Sequence, residues 1–254
     1  MSRLEQPAQP GYHGGVKYEL QTIPVWDAYE HEADCPLCYL EEKLEADYQK
    51  FFLGSAVMAP ELRVEVNRIG FCSRHFSLLE RGSNRLGLAL MTQTHLAERR
   101  HRFEKARRSA ERAAGSRKTR KIRAELDTLI EALSDEERSC MSCNRLAADL
   151  ANYAFTIVSL HRSNGDFEDT FRKSHGFCLP HMRTTIEVAR EVLRGEELAA
   201  WLSDLFSVQD AAIGSLDEGL EEMVSRYDYR STEPATDSIR AAVPRAISKL
   251  VGRR

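Results

Sequence analysis

The chain has 254 residues, 42% of them hydrophobic and 30% charged, with only 14 Gly and 8 Pro. That balance fits one or two globular domains and excludes collagen-like or low-complexity protein. No run approaches the roughly 18 consecutive apolar residues of a membrane-spanning helix, and Met1 to Val16 lacks the apolar core of a secretory signal, so the sequence reads as cytoplasmic. The net charge of −3 is uneven: residues 99–123 hold twelve Lys and Arg against Glu104 and Glu111, a local +10, which leaves −13 for the remainder.

In chain order, residues 1–18 read as a polar tail. Leu20 to Trp26 reads as an extended apolar lead into a helix ending near Cys35. A first unit spans 19–96. Within it Leu40, Leu44, Tyr48, Phe51 and Phe52 recur at helical spacing, and a short helix carries Phe76, Leu78 and Leu79 before Gly82. Ser83 or Asn84 is placed to cap a long helix that begins at Arg85. Its apolar stripe fades after Leu96, where residues 97–121 read as a basic connector or helical arm broken at Gly115 and Ser116. A second unit spans 122–227. Leu146, Leu150, Tyr153, Ile157 and Leu160 repeat the stripe there, and Leu198, Trp201, Leu202, Leu205, Ile213, Leu216, Leu220 and Met223 mark further amphipathic helices. Residues 228–254 read as a mobile tail, in which Ile239 to Val251 has a weak helical pattern. The alternation at Leu62 to Ile69 is short and carries interior charges, so the fold class is all-α, a helical bundle.

The six cysteines form one pattern used twice. Cys35 and Cys38 precede Gly70-Phe71-Cys72-Ser73-Arg74-His75; Cys140 and Cys143 precede Gly176-Phe177-Cys178-Leu179-Pro180-His181. A tyrosine follows the first cysteine of each copy at the same distance, Tyr48 and Tyr153. Such self-similarity predicts duplication of one structural unit. Two cysteines separated by two residues aim both sulfurs at one point, and a Cys and a His three apart on a helix share a face. Their sum is Cys3His, a ligand set of closed zinc sites, so two zinc ions per chain are expected on Cys35, Cys38, Cys72, His75, Cys140, Cys143, Cys178 and His181. Motif order favours pairing within a copy, Cys35/Cys38 with Cys72/His75 and Cys140/Cys143 with Cys178/His181. Exchange of halves between copies stays open.

Other chemistries use the same residues. Iron–sulfur clusters also take cysteine ligands. A disulfide framework suits an oxidising compartment, and a single C-x-x-C motif suits thioredoxin-like redox chemistry in a strand–helix context. Zinc is favoured because a closed tetrad needs no electron-transfer partner. Each half-site also falls at a helix start, where the dipole lowers thiol pKa values. Gly70 and Gly176 allow a tight turn that delivers the sulfur, with Phe71 and Phe177 shielding it from water.

The run Thr22-Ile23-Pro24-Val25, the Cys-Pro-Leu-Cys followed by an acidic helix, Gly-Phe-Cys-x-x-His, Asn84 to Leu90 and Thr94-His95-Leu96 together resemble a bacterial family of unknown function, over roughly residues 20 to 225. The resemblance implies cytoplasmic helical proteins with duplicated metal-ligand motifs around a variable basic stretch. It implies no activity. The second pair, Cys140-Met141-Ser142-Cys143, lacks the proline of the first.

Among the remaining candidates, His95 shares a face with Leu88 and Met91, as a packing histidine or as a pocket residue. His175 is an alternative ligand to His181. His13, His31, His101 and His161 follow no pattern and read as surface residues. Asn84 and Arg85 read as a cap or as a polar pocket. No phosphate loop, nucleophile elbow or His-Glu-x-x-His motif occurs, so nothing supports an enzyme. The reading is a zinc-stapled interaction or adaptor module with an unidentified protein partner. The alternatives are a nucleic-acid-binding protein acting through residues 99–123 and a thiol-based redox or metal sensor.

Overall fold

Every cysteine motif starts a helix. The computed structural model describes residues 16–31, 33–134, 140–226 and 237–252. Regular structure among them is helical: α1 (Val16–Glu30), α2 (Pro36–Leu53), α3 (Ser55–Met58), α4 (Pro60–Ile69), α5 (Ser73–Glu80), α6 (Arg85–Gly115), α7 (Thr119–Ser134), α8 (Met141–Ser163), α9 (Gly165–Arg172), α10 (Leu179–Val192), α11 (Gly195–Ser225) and α12 (Asp237–Val251). The chain is all-α over these residues, and no helix among them is long and apolar enough to cross a membrane.

The chain divides into two compact units, one of residues 1–40 with 151–254 and one of 41–150, and the divisions fall inside α2 and α8. These are not the two sequence copies. In the 41–150 unit, Phe52, Leu53, Ala56, Val57, Val66, Phe71, Leu79 and Met91 form the core with Cys140 and Met141. Phe71 sits edge-on to Phe52 and Phe76, at 4.9 and 5.4 Å, the geometry that aromatic quadrupoles favour. In the other unit Trp201, Phe167, Phe171, Phe177, Leu37, Ile157 and Leu205 are fully enclosed. Burying each of these side chains contributes roughly 1.5–3 kcal/mol.

Several expectations change. Leu20 to Trp26 lies inside α1, and Pro24 is within that helix; Val25 and Ala28 are fully buried, and this packing outweighs the hydrogen bond that proline forgoes. Leu62 to Ile69 is helical, in line with the all-α reading, and Pro60 at the start of α4 presets the first turn. The arm takes the hairpin form: α6 runs for 31 residues, about 46 Å, then turns through Ser116 to Lys118 into α7. Asn84 caps α6, its Oδ1 accepting from Gly87 N at 2.8 Å while its Nδ2 donates to Leu53 O at 2.6 Å. Of the expected tails, residues 1–15, 227–236, 253 and 254 lie outside the described residues. Val16 to Tyr18 begin α1, and α12 occupies most of the C-terminal segment.

Gly70 and Gly176 have φ of 73° and 67°, the left-handed region that only glycine enters freely. A side chain is also blocked at both. A Cβ on Gly70 would lie 2.5 Å from His95 Nε2, and one on Gly176 2.7 Å from Gln209 Oε1. His95 therefore packs against a backbone turn and donates from Nδ1 to Asn67 O at 2.8 Å; it is the packing histidine. Gly70→Ala is expected to cost about 2–3 kcal/mol, from a strained backbone and a displaced His95. A melting temperature equal to wild type would contradict this packing.

Candidate metal centres

At all four motifs the leading cysteine is the residue before the first helical turn, and its carbonyl accepts the first intrahelical hydrogen bond. Cys35 O takes Tyr39 N, Cys72 O takes Phe76 N, Cys140 O takes Asn144 N and Cys178 O takes Met182 N. The second ligand of each motif sits three residues on, in the same turn, so side chains at both positions reach the space above the helix end. Cys72 and Cys178 have extended backbone, with ψ of 167° and 156°, as a capping residue requires.

These ends meet in two groups, and each group combines halves from different copies. One is Cys35, Cys38, Cys178 and His181, and the other is Cys72, His75, Cys140 and Cys143; within each, the ligand atoms lie within 4.8 Å of one another. The within-copy pairing is therefore corrected. Each group lies in a single unit, because the units themselves exchange halves.

The spacings decide what such a group can hold. A tetrahedral ion with bonds of about 2.3 Å to sulfur and about 2.0 Å to nitrogen has edges of about 3.8 Å between sulfurs and about 3.5 Å from sulfur to nitrogen. In the first group Cys178 Sγ lies 3.8 Å from Cys35 Sγ and 3.6 Å from Cys38 Sγ. His181 Nδ1 stands 3.5, 3.4 and 3.3 Å from the sulfurs of Cys35, Cys38 and Cys178. In the second, Cys72 and Cys143 are 3.9 Å apart, and His75 Nδ1 is 3.1, 3.4 and 3.3 Å from the sulfurs of Cys72, Cys140 and Cys143. Both groups fit one tetrahedral ion. The six cysteines are free, at separations far beyond the 2.05 Å of a disulfide, so the disulfide framework is excluded for this structure.

Without a cation the thiols crowd one another. Burial pushes the Cys35 thiol well above its ordinary pKa, and its neighbours Cys178 and Cys38 add to the rise. Partial desolvation pushes the exposed Cys143 up to about 12, with Cys140 and Cys72 contributing. Cys72 is the exception: burial acts to raise it, but the backbone N–H groups of His75 and Arg74 and the neighbouring thiols bring it below the usual value. A divalent ion reverses this repulsion, because it binds the thiolates that otherwise repel.

The two groups differ in their surroundings. Around the first all four side chains are buried, whereas in the second Cys143 is exposed and Cys72 half-buried. The first is covered by α12. Lys249, only 4% exposed, donates from Nζ to His175 O at 2.5 Å; burial lowers its pKa, and Cys35, Asp34 and Cys178 act to raise it. Arg245 donates twice to Asp34 Oδ1, at 2.8 and 2.6 Å, and a Cβ on Gly252 would stand 3.7 Å from Cys178 Sγ. Gln209 pins the turn before Cys178, accepting from Phe177 N at 3.1 Å and donating to Phe177 O at 2.9 Å. At the second group Met141 N donates to Gly70 O at 3.0 Å; Pro36, at the matching place of the first copy, has no N–H to give. His75 Nε2 lies 3.1 Å from Glu45 Oε1. Arg74 holds Glu45 in turn at 2.9 Å. A carboxylate behind a ligand histidine orients the ring and strengthens it as a donor.

Glu45, Gln209 and Lys249 were not legible as site residues. Their helices have ordinary polar or mixed patterns, and only the fold brings them to the motifs. His175 is exposed and its side chain stands outside the first group. His161, expected at the surface, is buried and 2.9 Å from Asp204. With Glu168 these residues make a third cluster of metal-capable side chains. Arg172 occupies it, at 2.5 Å from Glu168 and 3.0 Å from Asp204. The cluster is an ion-pair network.

A family described as of unknown function, DUF6062, matches residues 16–254. The chain belongs to DUF6062. The match includes both cysteine groups, the hairpin and α12. Comparison with curated proteins and with solved structures found no match.

The exchanged pairing in this DUF6062 chain has a direct check. Cys35→Ser with Cys178→Ser removes ligands from one group and should leave one bound metal ion per chain. Cys35→Ser with Cys72→Ser damages both groups and should leave none. The opposite stoichiometries would restore within-copy pairing. Glu45→Gln should weaken metal binding at the Cys72 group about 10- to 100-fold, with the Cys35 group unchanged; competition with a chromogenic chelator reads both.

Proposed function

We propose that the chain is a zinc protein in which Cys35, Cys38, Cys178 and His181 hold one structural ion and Cys72, His75, Cys140 and Cys143 another, on a helical scaffold that serves as an interaction or adaptor module. The observation that carries this reading is the convergence of all four helix ends into two groups with tetrahedral edge lengths. Zinc suits the donor set because three thiolates and one imidazole form a closed site for a borderline-soft ion with no redox chemistry. A cluster places its cysteines on different iron atoms, which agrees less well with ligand atoms that all meet at one point. Three thiolates leave the metal site at a formal −1. Lys249 on one side and the helix N-termini on both offset that charge.

The two copies are best read as a duplicated unit that exchanges halves. Matching φ values at Gly70 and Gly176 and matching caps at Cys72 and Cys178 support the duplication. Thiols poised for metal suit a reducing compartment such as the cytoplasm.

A second reading concerns the Cys72 group alone. Its exposed Cys143 and half-buried Cys72 give a hydroperoxide access to two thiolates. Each thiolate would give up one electron and the two sulfurs would bond; the peroxide O–O bond would break, one water would supply a proton, alcohol and two hydroxide ions would leave, and the ion would depart. That is the chemistry of a thiol-based sensor.

Elemental analysis of protein purified without chelator is expected to return two zinc ions per chain in a colourless solution. Iron with labile sulfide, or no metal, would overturn the assignment. Chelator should strip the exposed Cys72 group first and the Cys35 group more slowly. Simultaneous loss from both would remove the distinction on which the sensor reading stands.

A further inference from the structure

The α6–α7 hairpin carries its charge in two states. Between Arg99 and Glu111 the arginines are engaged: Arg100 and Arg108 with Glu104, Arg107 with Glu111, and Arg102 with Glu98. Arg99 donates to Ala132 O at 3.0 Å. Beyond Glu111 the pattern changes. Arg112, Arg117, Lys118, Arg120 and Lys121 are exposed, and among the described residues none of them pairs with a carboxylate. They cluster around the turn that ends α6 and begins α7, and no acidic residue occurs from 112 to 124. The charge that the sequence spreads over residues 99–123 is thus effective mainly at the hairpin tip.

The chemistry of the tip narrows its partner. Between Arg112 and Lys121 the other residues are Ala, Gly, Ser and Thr. No large apolar side chain is there to enter a membrane interface or to anchor a protein contact. Phe103 is the one aromatic in residues 99–123 and lies well before the turn, so the tip has no platform on which to stack single-stranded bases. What remains is a set of point charges suited to closely spaced phosphates, and duplex nucleic acid presents one such charge per about 1.7 Å of axis. Arg117 adds a second observation. Its φ is 57°, and it follows the α6 cap in the place where helices commonly put glycine. A cationic side chain therefore stands at the apex despite a backbone that glycine would adopt at lower cost.

We propose that the tip of the α6–α7 hairpin docks on the phosphate backbone of duplex nucleic acid, without reading its sequence. The proposal goes beyond the metal reading and is independent of it, because no residue of the tip belongs to either cysteine group.

The test uses the full-length, metal-loaded protein and fluorescently labelled DNA and RNA duplexes of roughly 20 base pairs, read by anisotropy. With about four phosphates engaged, affinity should fall about a hundredfold between 50 and 200 mM salt, a log–log slope near −3.6. Replacing Arg117, Lys118, Arg120 and Lys121 together by Gln should weaken binding at least about tenfold at the lower salt and flatten the slope. Arg100→Gln with Arg108→Gln, which removes paired charges from the same arm, should change it less than about twofold. Arg117→Gly guards against a folding artefact: it should preserve or raise the melting temperature while weakening binding. Absence of duplex binding at the lower salt would overturn the proposal. So would equal losses in the tip and control variants, or stronger binding to single strands or to phosphatidylserine vesicles than to either duplex.

Discussion

Four helix N-termini, each carrying two cysteines or a cysteine and a histidine three residues apart, are brought together two by two, and that convergence constrains the rest of the molecule. A leading cysteine at the cap and a second ligand three residues on leave little freedom in how a helix approaches its partner. The ends also carry partial positive charge that favours thiolate over thiol. The glycines at 70 and 176 follow from the same need, since the chain must turn sharply to present Cys72 and Cys178 as caps. His95 and Gln209 then fill the space that a side chain at those positions would have taken. The aromatic residue between each glycine and cysteine, Phe71 or Phe177, closes the apolar side.

Exchange of halves has an energetic consequence. Pairing inside a copy would close loops of about 35 residues. The observed pairs join Cys38 to Cys178 across 140 positions and Cys72 to Cys143 across 71. Each doubling of a closed loop adds about 0.6 kcal/mol of chain entropy removed from the unfolded state, so an ion in the Cys35 group would contribute about 1.2 kcal/mol more than a within-copy ion. The larger effect is topological. The described residues up to Leu40 share a unit with those from Ala151 onward, so neither sequence copy forms a unit by itself.

The groups share ligands and geometry but not cover. A C-terminal helix with a buried lysine seals one, and a glutamate held by an arginine backs the histidine of the other while leaving a cysteine in contact with solvent. A buried ligand shell resists exchange, because the ion can leave only when the surrounding packing opens. An exposed one is open to competing ligands and oxidants. One chain thus combines a buried Cys/His group with a partly exposed one.

Much of this was legible in the residues. The 3.6-residue periodicity after Cys38 and Cys143, the capping Asn84 and the break at Gly115 and Ser116 are local signals, and local signals determine helices. The eight residues of the two groups were legible too, because a cap cysteine and its partner three residues on lie in one turn. The helical state of Leu20 to Trp26 was not, and that of Ile239 to Val251 only as a weak pattern, since both depend on burial against other elements that outweighs proline and weak patterning. Nor could spacing decide which pairs of ligands meet: both pairings satisfy the same tetrahedron, and only the packing of whole helices chooses between them. By itself, then, the sequence determined which residues can hold an ion and that helices would carry them. The tertiary structure alone decided which halves share a site, which site is sealed and where the unpaired cations gather, because those properties belong to distances between residues that the chain keeps far apart.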